Sequence, residues 1–128
     1  MKSFIFALLM LLSVTVFVVF NANQTVSRID DMLSLTEILP KNAEEFETMS
    51  EQVQLSVYEL RELWKHSFPL ISFTAGYENT DRCDEAIRSL VIHFENKNGA
   101  EFSVSVSEIR DSLSRLRILE GIHWHGIL

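Results

Sequence analysis

The feature that most constrains this chain is an uncharged apolar run near its N-terminus, FIFALLMLLSVTVFVVF, from Phe4 to Phe20. Only Ser13 and Thr15 are polar within it. As a helix with a rise of 1.5 Å per residue, the run spans roughly 26 Å, which is close to the thickness of the hydrocarbon core of a bilayer. It therefore predicts a membrane-spanning helix, and the rest of the 128-residue chain has room for one small domain.

Two features of the run favour an uncleaved signal anchor, with a cleaved signal peptide as the alternative. The run is longer than the usual apolar core of a secretory signal, and Phe20 stands where cleavage after Ala22 needs a small residue. Lys2 precedes the run, whereas the nearest basic residue after it is soon offset by two aspartates. The positive-inside bias then predicts a cytoplasmic N-terminus, an anchor over residues 1–22 in the cell membrane, and an extracytoplasmic domain over residues 23–128.

The segment after the anchor is acidic, which narrows the classes of partner. Of the 11 basic residues only Lys2 precedes this segment, and all 18 acidic residues lie within it, so its net charge is −8 with histidine neutral. Such a surface repels phosphate backbones, so no nucleic acid is expected as a partner. Cys83 is the only cysteine, so no internal disulfide forms, and a small buried hydrophobe is the expected role for it.

Apolar residues recur at steps of three and four through most of the outer segment, which predicts an all-α fold. The anchor helix is expected to continue until Pro40 stops it, and Asn42 with Glu45 forms a capping-box-like pair for the next helix. Three apolar stripes follow, over Phe46 to Trp64, Cys83 to Phe94, and Phe102 to Leu116. The prediction is an N-terminal transmembrane helix followed by a small antiparallel three- or four-helix bundle.

Local signals place the ends and breaks of these helices. Pro69 lacks a backbone donor and is expected to kink or interrupt its helix near Ser67. Thr80 or Asp81 is expected to cap the third helix. Gly121 is expected to end the last one.

One stretch favours a different structure. LVIHFENKNGAEFSVSVS has β-branched and aromatic residues on both sides of an Asn-Gly pair, and FSVSV alternates, as is typical of a β-hairpin. The helical spacing nevertheless runs through Phe102 and Val106, so helix is favoured. An α+β fold with a hairpin around residues 90–106 is the alternative.

The closing HWHGIL contains two histidines, which are possible metal ligands. His123 and His125 share a face only if the tail is extended, and a zinc site needs three or four ligands. The sequence brings no third ligand to them, so they are weak metal candidates and no cofactor is expected. The favoured interpretation is that Trp124, Ile127 and Leu128 pack or dock while the imidazoles face solvent.

No constellation of catalytic residues stands out, so an enzyme is not expected. Cys83 and His93 are ten residues apart, about 280° around a helix, and point away from each other. No Gly-x-Ser-x-Gly or Ser-x-x-Lys motif occurs, and four glycines are too few for a phosphate-binding loop. An interaction surface is predicted instead, formed by Arg110 and Arg117 on one helix face together with the apolar C-terminal residues.

The whole pattern resembles a known family. The segments LRELW, PLISF, DEAIRSL and LSRLRILEGIHWHGIL, placed after a single N-terminal span, resemble the small membrane-anchored bacterial family called domain of unknown function 4363. Two positions depart from that family's pattern, since Tyr77 stands where a histidine is common and Gly126 where an asparagine is common. The resemblance implies an all-helical protein with no established activity, in which the final histidines are not a fixed feature.

These observations predict a single-pass membrane protein with a non-enzymatic interaction or scaffold role in the bacterial cell envelope. The membrane is reached through residues 4–20, and the expected partner is another envelope protein or a second copy of the chain. The alternative is an extracytoplasmic sensor that binds a small ligand or a metal.

Overall fold

Five α-helices make up the computed structural model, which describes the backbone of residues 1–127 and the side chains of residues 1–21, 23–73 and 75–120. In chain order they are α1 (Lys2–Ile38), α2 (Ala43–Glu47), α3 (Glu51–Ala75), α4 (Tyr77–Glu95) and α5 (Gly99–Ile127). The described backbone contains no β-strand, so the all-α prediction is confirmed.

The hairpin alternative around residues 90–106 is wrong. This stretch forms the end of α4, a turn in which Lys97 has a φ of 55°, and the start of α5. Burial in FSVSV follows the helical period, because Phe102, Ser105 and Val106 are buried while Val104 is exposed. The local alternation is therefore overridden by the packing of one helix face.

Helices α1, α3, α4 and α5 form an up-down-up-down four-helix bundle. Each packs against two neighbours in the cyclic order α1, α3, α4, α5, as expected for antiparallel helices joined by short connections. Helix α2 packs on α5 at the distal end, which is the end of the bundle away from the apolar run. The core lies between the four long helices; its largest buried side chains include Ile29, Met32, Leu60, Ile71, Ile87, Leu90, Phe102, Ile109 and Leu113.

Helix α1 is both the candidate membrane span and one wall of the bundle. Its first half is apolar and long enough to cross a membrane, and none of its residues from Phe4 to Phe17 is buried by the bundle. Its second half packs against the core. Residues at steps of three and four are buried there, ending with the residue after the helix: Thr25, Ile29, Met32, Thr36 and Leu39. The helix ends at Ile38, just before Pro40, as predicted. One uninterrupted helix thus joins the apolar run to the domain.

The helix predicted to carry the whole stripe from Phe46 to Trp64 is divided in two. Helix α2 ends at Glu47 and α3 begins at Glu51. The break occurs because Ser50 acts as a new N-cap, whose hydroxyl accepts a hydrogen bond from the backbone N–H of Val53 at 3.3 Å.

The capping pair predicted for α2 is present. The side-chain oxygen of Asn42 accepts a hydrogen bond from the Glu45 N–H at 2.8 Å. The Glu45 carboxylate in turn accepts one from the Lys41 N–H at 2.9 Å, one residue before the position that a capping box predicts.

Two predicted helix ends and one predicted break are wrong. Pro69 does not interrupt α3, which continues to Ala75 and buries Ile71 beyond the proline, while a kink near Ser67 stays a prediction. Thr80 does not cap α4 but lies inside it, where its hydroxyl donates to the Gly76 and Tyr77 carbonyls. Helix α5 continues past Gly121 to Ile127, because a glycine inside a helix costs only about 1 kcal/mol.

The corner between α3 and α4 depends on Gly76. This residue ends α3 and begins α4 with φ 87° and ψ 157°, a conformation that is essentially restricted to glycine. A Cβ at this position would meet no atom within 4 Å, so the requirement is one of backbone conformation alone. The single residue turns the chain back on itself and brings the two helices side by side.

Candidate functional site

An open groove of about 520 Å³ lies between α3 and α4. Its volume is within the usual range for small-molecule pockets, roughly 300–1,000 Å³. The floor is apolar and is formed by Trp64, Phe68, Ile87, Val91 and Ile92. The rim is polar and is formed by Arg61, Lys65, Arg88 and Asp84.

The groove follows from the spacing of residues on the two helices. On α3 the lining positions are 61, 64, 65 and 68, and on α4 they are 84, 87, 88, 91 and 92. Steps of three and four place each set on one face of its helix. Ile92 lies outside the buried stripe of α4, on the face that carries Asp84 and Arg88, and is 54% exposed. The groove is therefore where the apolar faces of two helices reach the surface without a covering helix in the described chain.

Asp84 links a residue of the groove's floor, Trp64, to a residue of its rim, Arg88. One of its carboxylate oxygens accepts a hydrogen bond from the Trp64 indole N–H at 2.9 Å, and the other lies 3.1 Å from the Arg88 guanidinium. The Trp64 ring is almost fully buried and meets the Phe68 ring edge-on at 5.8 Å between centroids. Both carboxylate oxygens thus have partners inside the protein.

The cationic groups at the rim face solvent. The Arg61 guanidinium lies 3.5 Å from its sequence neighbour Glu62 and 5.1 Å from the centroid of the Tyr58 ring, and the side chains of Arg61 and Glu62 are about half exposed. Arg88 is 76% exposed despite its pairing with Asp84. Lys65 is exposed and has no ion pair within the described side chains. The groove therefore combines three cations and one carboxylate in a chain whose net charge is −7.

We expect Asp84→Ala to destabilise the bundle by about 1–3 kcal/mol, because it leaves the Trp64 indole N–H buried without an acceptor. Asp84→Asn keeps an acceptor for the indole and removes the charge, so its effect is expected to be smaller. Urea unfolding followed by circular dichroism measures both, with the exposed Glu85→Ala as the matched control on α4. Equal stability of the alanine variants at 84 and 85 would contradict this role for Asp84.

Cys83, which precedes Asp84 in the chain, is fully buried, as predicted. Burial raises the pKa of its thiol above the usual value, and the negative charge of Asp84 adds to that rise. The thiol therefore stays protonated, and a protonated buried thiol is inert as a nucleophile.

The two basic residues predicted to form a docking surface on α5, Arg117 and Arg110, have different surroundings. The Nε of Arg117 lies 2.6 Å from Oδ1 of Asp30 and ties α5 to α1, with both side chains about half exposed. Arg110 is partly buried and has no ion pair among the described residues. A docking role for Arg110 and Arg117 stays a prediction.

The side chains of the C-terminal candidates lie outside the described residues. These are the metal candidates His123 and His125 and the docking candidates Trp124, Ile127 and Leu128. Within the described part of the chain, no group of three or more His, Cys, Asp and Glu residues could hold a metal ion.

Sequence reasoning missed the groove. Trp64 belongs to the apolar stripe that the sequence predicts for this helix and is buried, but the stripe alone does not show that one of its edges stays uncovered. The signal that could have found it is the flanking of the apolar stripe by cations on its edge, with Arg61 and Lys65 on α3 and Arg88 on α4.

No family model, curated protein or solved structure in the comparisons matches this chain.

Proposed function

We propose that this is a single-pass, non-enzymatic interaction protein of the bacterial cell envelope that binds a partner protein in the α3–α4 groove. Residues 4–20 anchor it in the cell membrane, with the N-terminus in the cytoplasm and the bundle outside. The bacterial setting rests on the proposed resemblance to domain of unknown function 4363. The observation that carries the binding role is the apolar groove rimmed by three cations on an otherwise acidic bundle.

The groove matches an amphipathic helix with acidic residues beside its apolar stripe. The lining runs over residues 61–68 of α3, a length of roughly 10 Å or two helical turns. Helices that bind in grooves place apolar side chains at steps of three and four onto such a floor. Acidic side chains at the edges of that stripe would meet Arg61, Lys65 and Arg88. Charge complementarity of this kind favours the correct partner and speeds its association.

A sensor of a small anionic amphiphile is the second candidate. The volume of the groove, about 520 Å³, favours it, because ligands of this size bury an apolar body and leave a charged group at the rim.

The test is site-specific photocrosslinking in native membranes. A photoreactive residue at Ile92, in the groove, is expected to give a discrete protein adduct. The same residue at Ile118, which is similarly exposed on α5, is the control and is expected to give none. A small-mass adduct at position 92 would support the sensor instead, and matching products at the two positions would contradict a groove-specific partner.

Charge reversal gives the quantitative prediction. The triple variant Arg61→Glu, Lys65→Glu and Arg88→Glu is expected to lower the adduct yield at position 92 at least about tenfold, which corresponds to about 1.4 kcal/mol of binding free energy. Arg82→Glu with Arg115→Glu is the matched control, because these arginines line a separate furrow between α4 and α5. An unchanged yield in a triple variant that still folds by circular dichroism would refute the binding role of the cationic rim.

A further inference from the structure

The corner between α3 and α4 differs in composition from the rest of the acidic domain. Its sequence, PLISFTAGY over residues 69–77, carries no charged side chain. Phe73 is 87% exposed and Tyr77 is 71% exposed, although both are large aromatic residues. Exposed aromatic residues grouped in this way are typical of a surface that contacts another apolar phase.

The corner lies beside the outer end of the apolar run. Phe17 and Asn21 of α1 line a cleft of about 540 Å³ together with Pro69, Leu70 and Phe73 of α3. Phe73 is therefore at the level of the last turn of the run rather than at the level of the bundle core. At the other end of this cleft, an Arg28 guanidinium nitrogen lies 3.5 Å from the His66 carbonyl oxygen.

The bundle also covers part of the run itself. Residues 4–17 are exposed throughout, whereas Val18 and Val19 are partly covered. Phe20, the last residue of the run, is again 58% exposed, so a bilayer that surrounds the run would end within its last turn, between Phe17 and Phe20. The polar edge of that bilayer would lie where Phe73 and Tyr77 are exposed.

We propose that Phe73 and Tyr77 insert into the interfacial layer of the same bilayer that α1 crosses, so that the corner seats the bundle on the lipid surface. Aromatic side chains concentrate at membrane interfaces, where an apolar ring and a polar hydroxyl both find suitable surroundings. The uncharged corner avoids the repulsion that an acidic face meets at anionic lipid. This inference rests on the membrane anchoring in the proposed function and is independent of the groove.

The test uses the full chain with one added cysteine, reconstituted into phosphatidylcholine–phosphatidylglycerol vesicles that contain a nitroxide-labelled phospholipid. Phe73→Cys carries an environment-sensitive fluorophore. Leu55→Cys is the matched control, since Leu55 is 67% exposed on the same helix. The two positions are eighteen residues or five turns apart, so they share a face and are separated by roughly 27 Å. Unaltered protein is the labelling blank, because Cys83 is buried.

At position 73 we expect blue-shifted emission and at least about twofold quenching by the nitroxide lipid, with neither effect at position 55. Absence of quenching at position 73 in protein that floats with the vesicles would overturn the seating and leave the anchoring intact. A blue shift without quenching would also overturn it, because the corner would then be covered by protein. Failure to float with the vesicles would refute both the anchoring and the seating.

Discussion

A chain that begins at Asn23 is expected to fold into the bundle, whereas a chain that begins at Lys41 is expected to lose it. The second half of α1 forms one of the four walls, and Ile29, Met32 and Leu39 are buried between α3 and α5. Truncating one such side chain to alanine typically costs about 2–5 kcal/mol. The cost of losing all three side chains, about 6–15 kcal/mol, is therefore as large as the whole net stability of most small domains, about 5–15 kcal/mol.

Thermal unfolding by circular dichroism, together with amide hydrogen exchange, measures this difference. The shorter chain is expected to show no cooperative transition, and its α4 and α5 amides are expected to exchange rapidly. A cooperative transition of the same midpoint in both chains would contradict the assignment of residues 25–39 to the core. The boundary between anchor and domain at residue 22 would then have to be moved towards the C-terminus.

Phe102→Ala is expected to destabilise the protein by about 3–5 kcal/mol and to lower the midpoint of thermal unfolding by more than about 10 °C. Phe102 is fully buried and lies at the distal end of the bundle. Its ring centroid lies 5.0 Å from that of Phe46 and 6.3 Å from that of Phe94. The substitution therefore leaves a cavity where α2, α4 and α5 meet.

The control for this substitution is Val104→Ala, two residues along the same helix. Val104 is half exposed, so its truncation is expected to change the unfolding midpoint by much less. Similar shifts for the two variants would show that the aromatic cluster contributes no special stability. Increased exchange confined to the amides of α2 would show that the cluster holds only this short helix.

Most of the helical architecture could be predicted from the sequence because local spacing and tertiary burial agree. The stripe from Phe102 to Leu116 is buried as predicted, and Asn42 caps α2 as predicted. Errors occurred where a local signal was overridden by packing or by a competing cap. Pro69 leaves α3 unbroken, and Ser50 divides a stripe that is continuous in the sequence.

The cations beside the apolar stripes of α3 and α4 are visible in the sequence, but the groove could not be placed from them because it depends on which helices become neighbours. Trp64 and Asp84 are twenty residues apart, and only the turn at Gly76 brings the indole N–H to the carboxylate. The position of Phe73 beside Phe17 could not be predicted either, because it depends on how α3 packs against α1. Periodicity along one helix identifies its apolar face, but it does not show which residues of a neighbouring helix will pack beside that face.

The continuity of α1 has a mechanical consequence for the proposed anchoring. From Asn21 to Ile38 the helix extends roughly 26 Å as one rod without a hinge, and the bundle is built around it. A change of about 10° in the tilt of the span would displace the distal end of the bundle by about 4–5 Å, since the span and this wall of the bundle are parts of one helix. Spans tilt according to bilayer thickness, so a thinner or thicker membrane would change the angle at which the groove is presented to a partner.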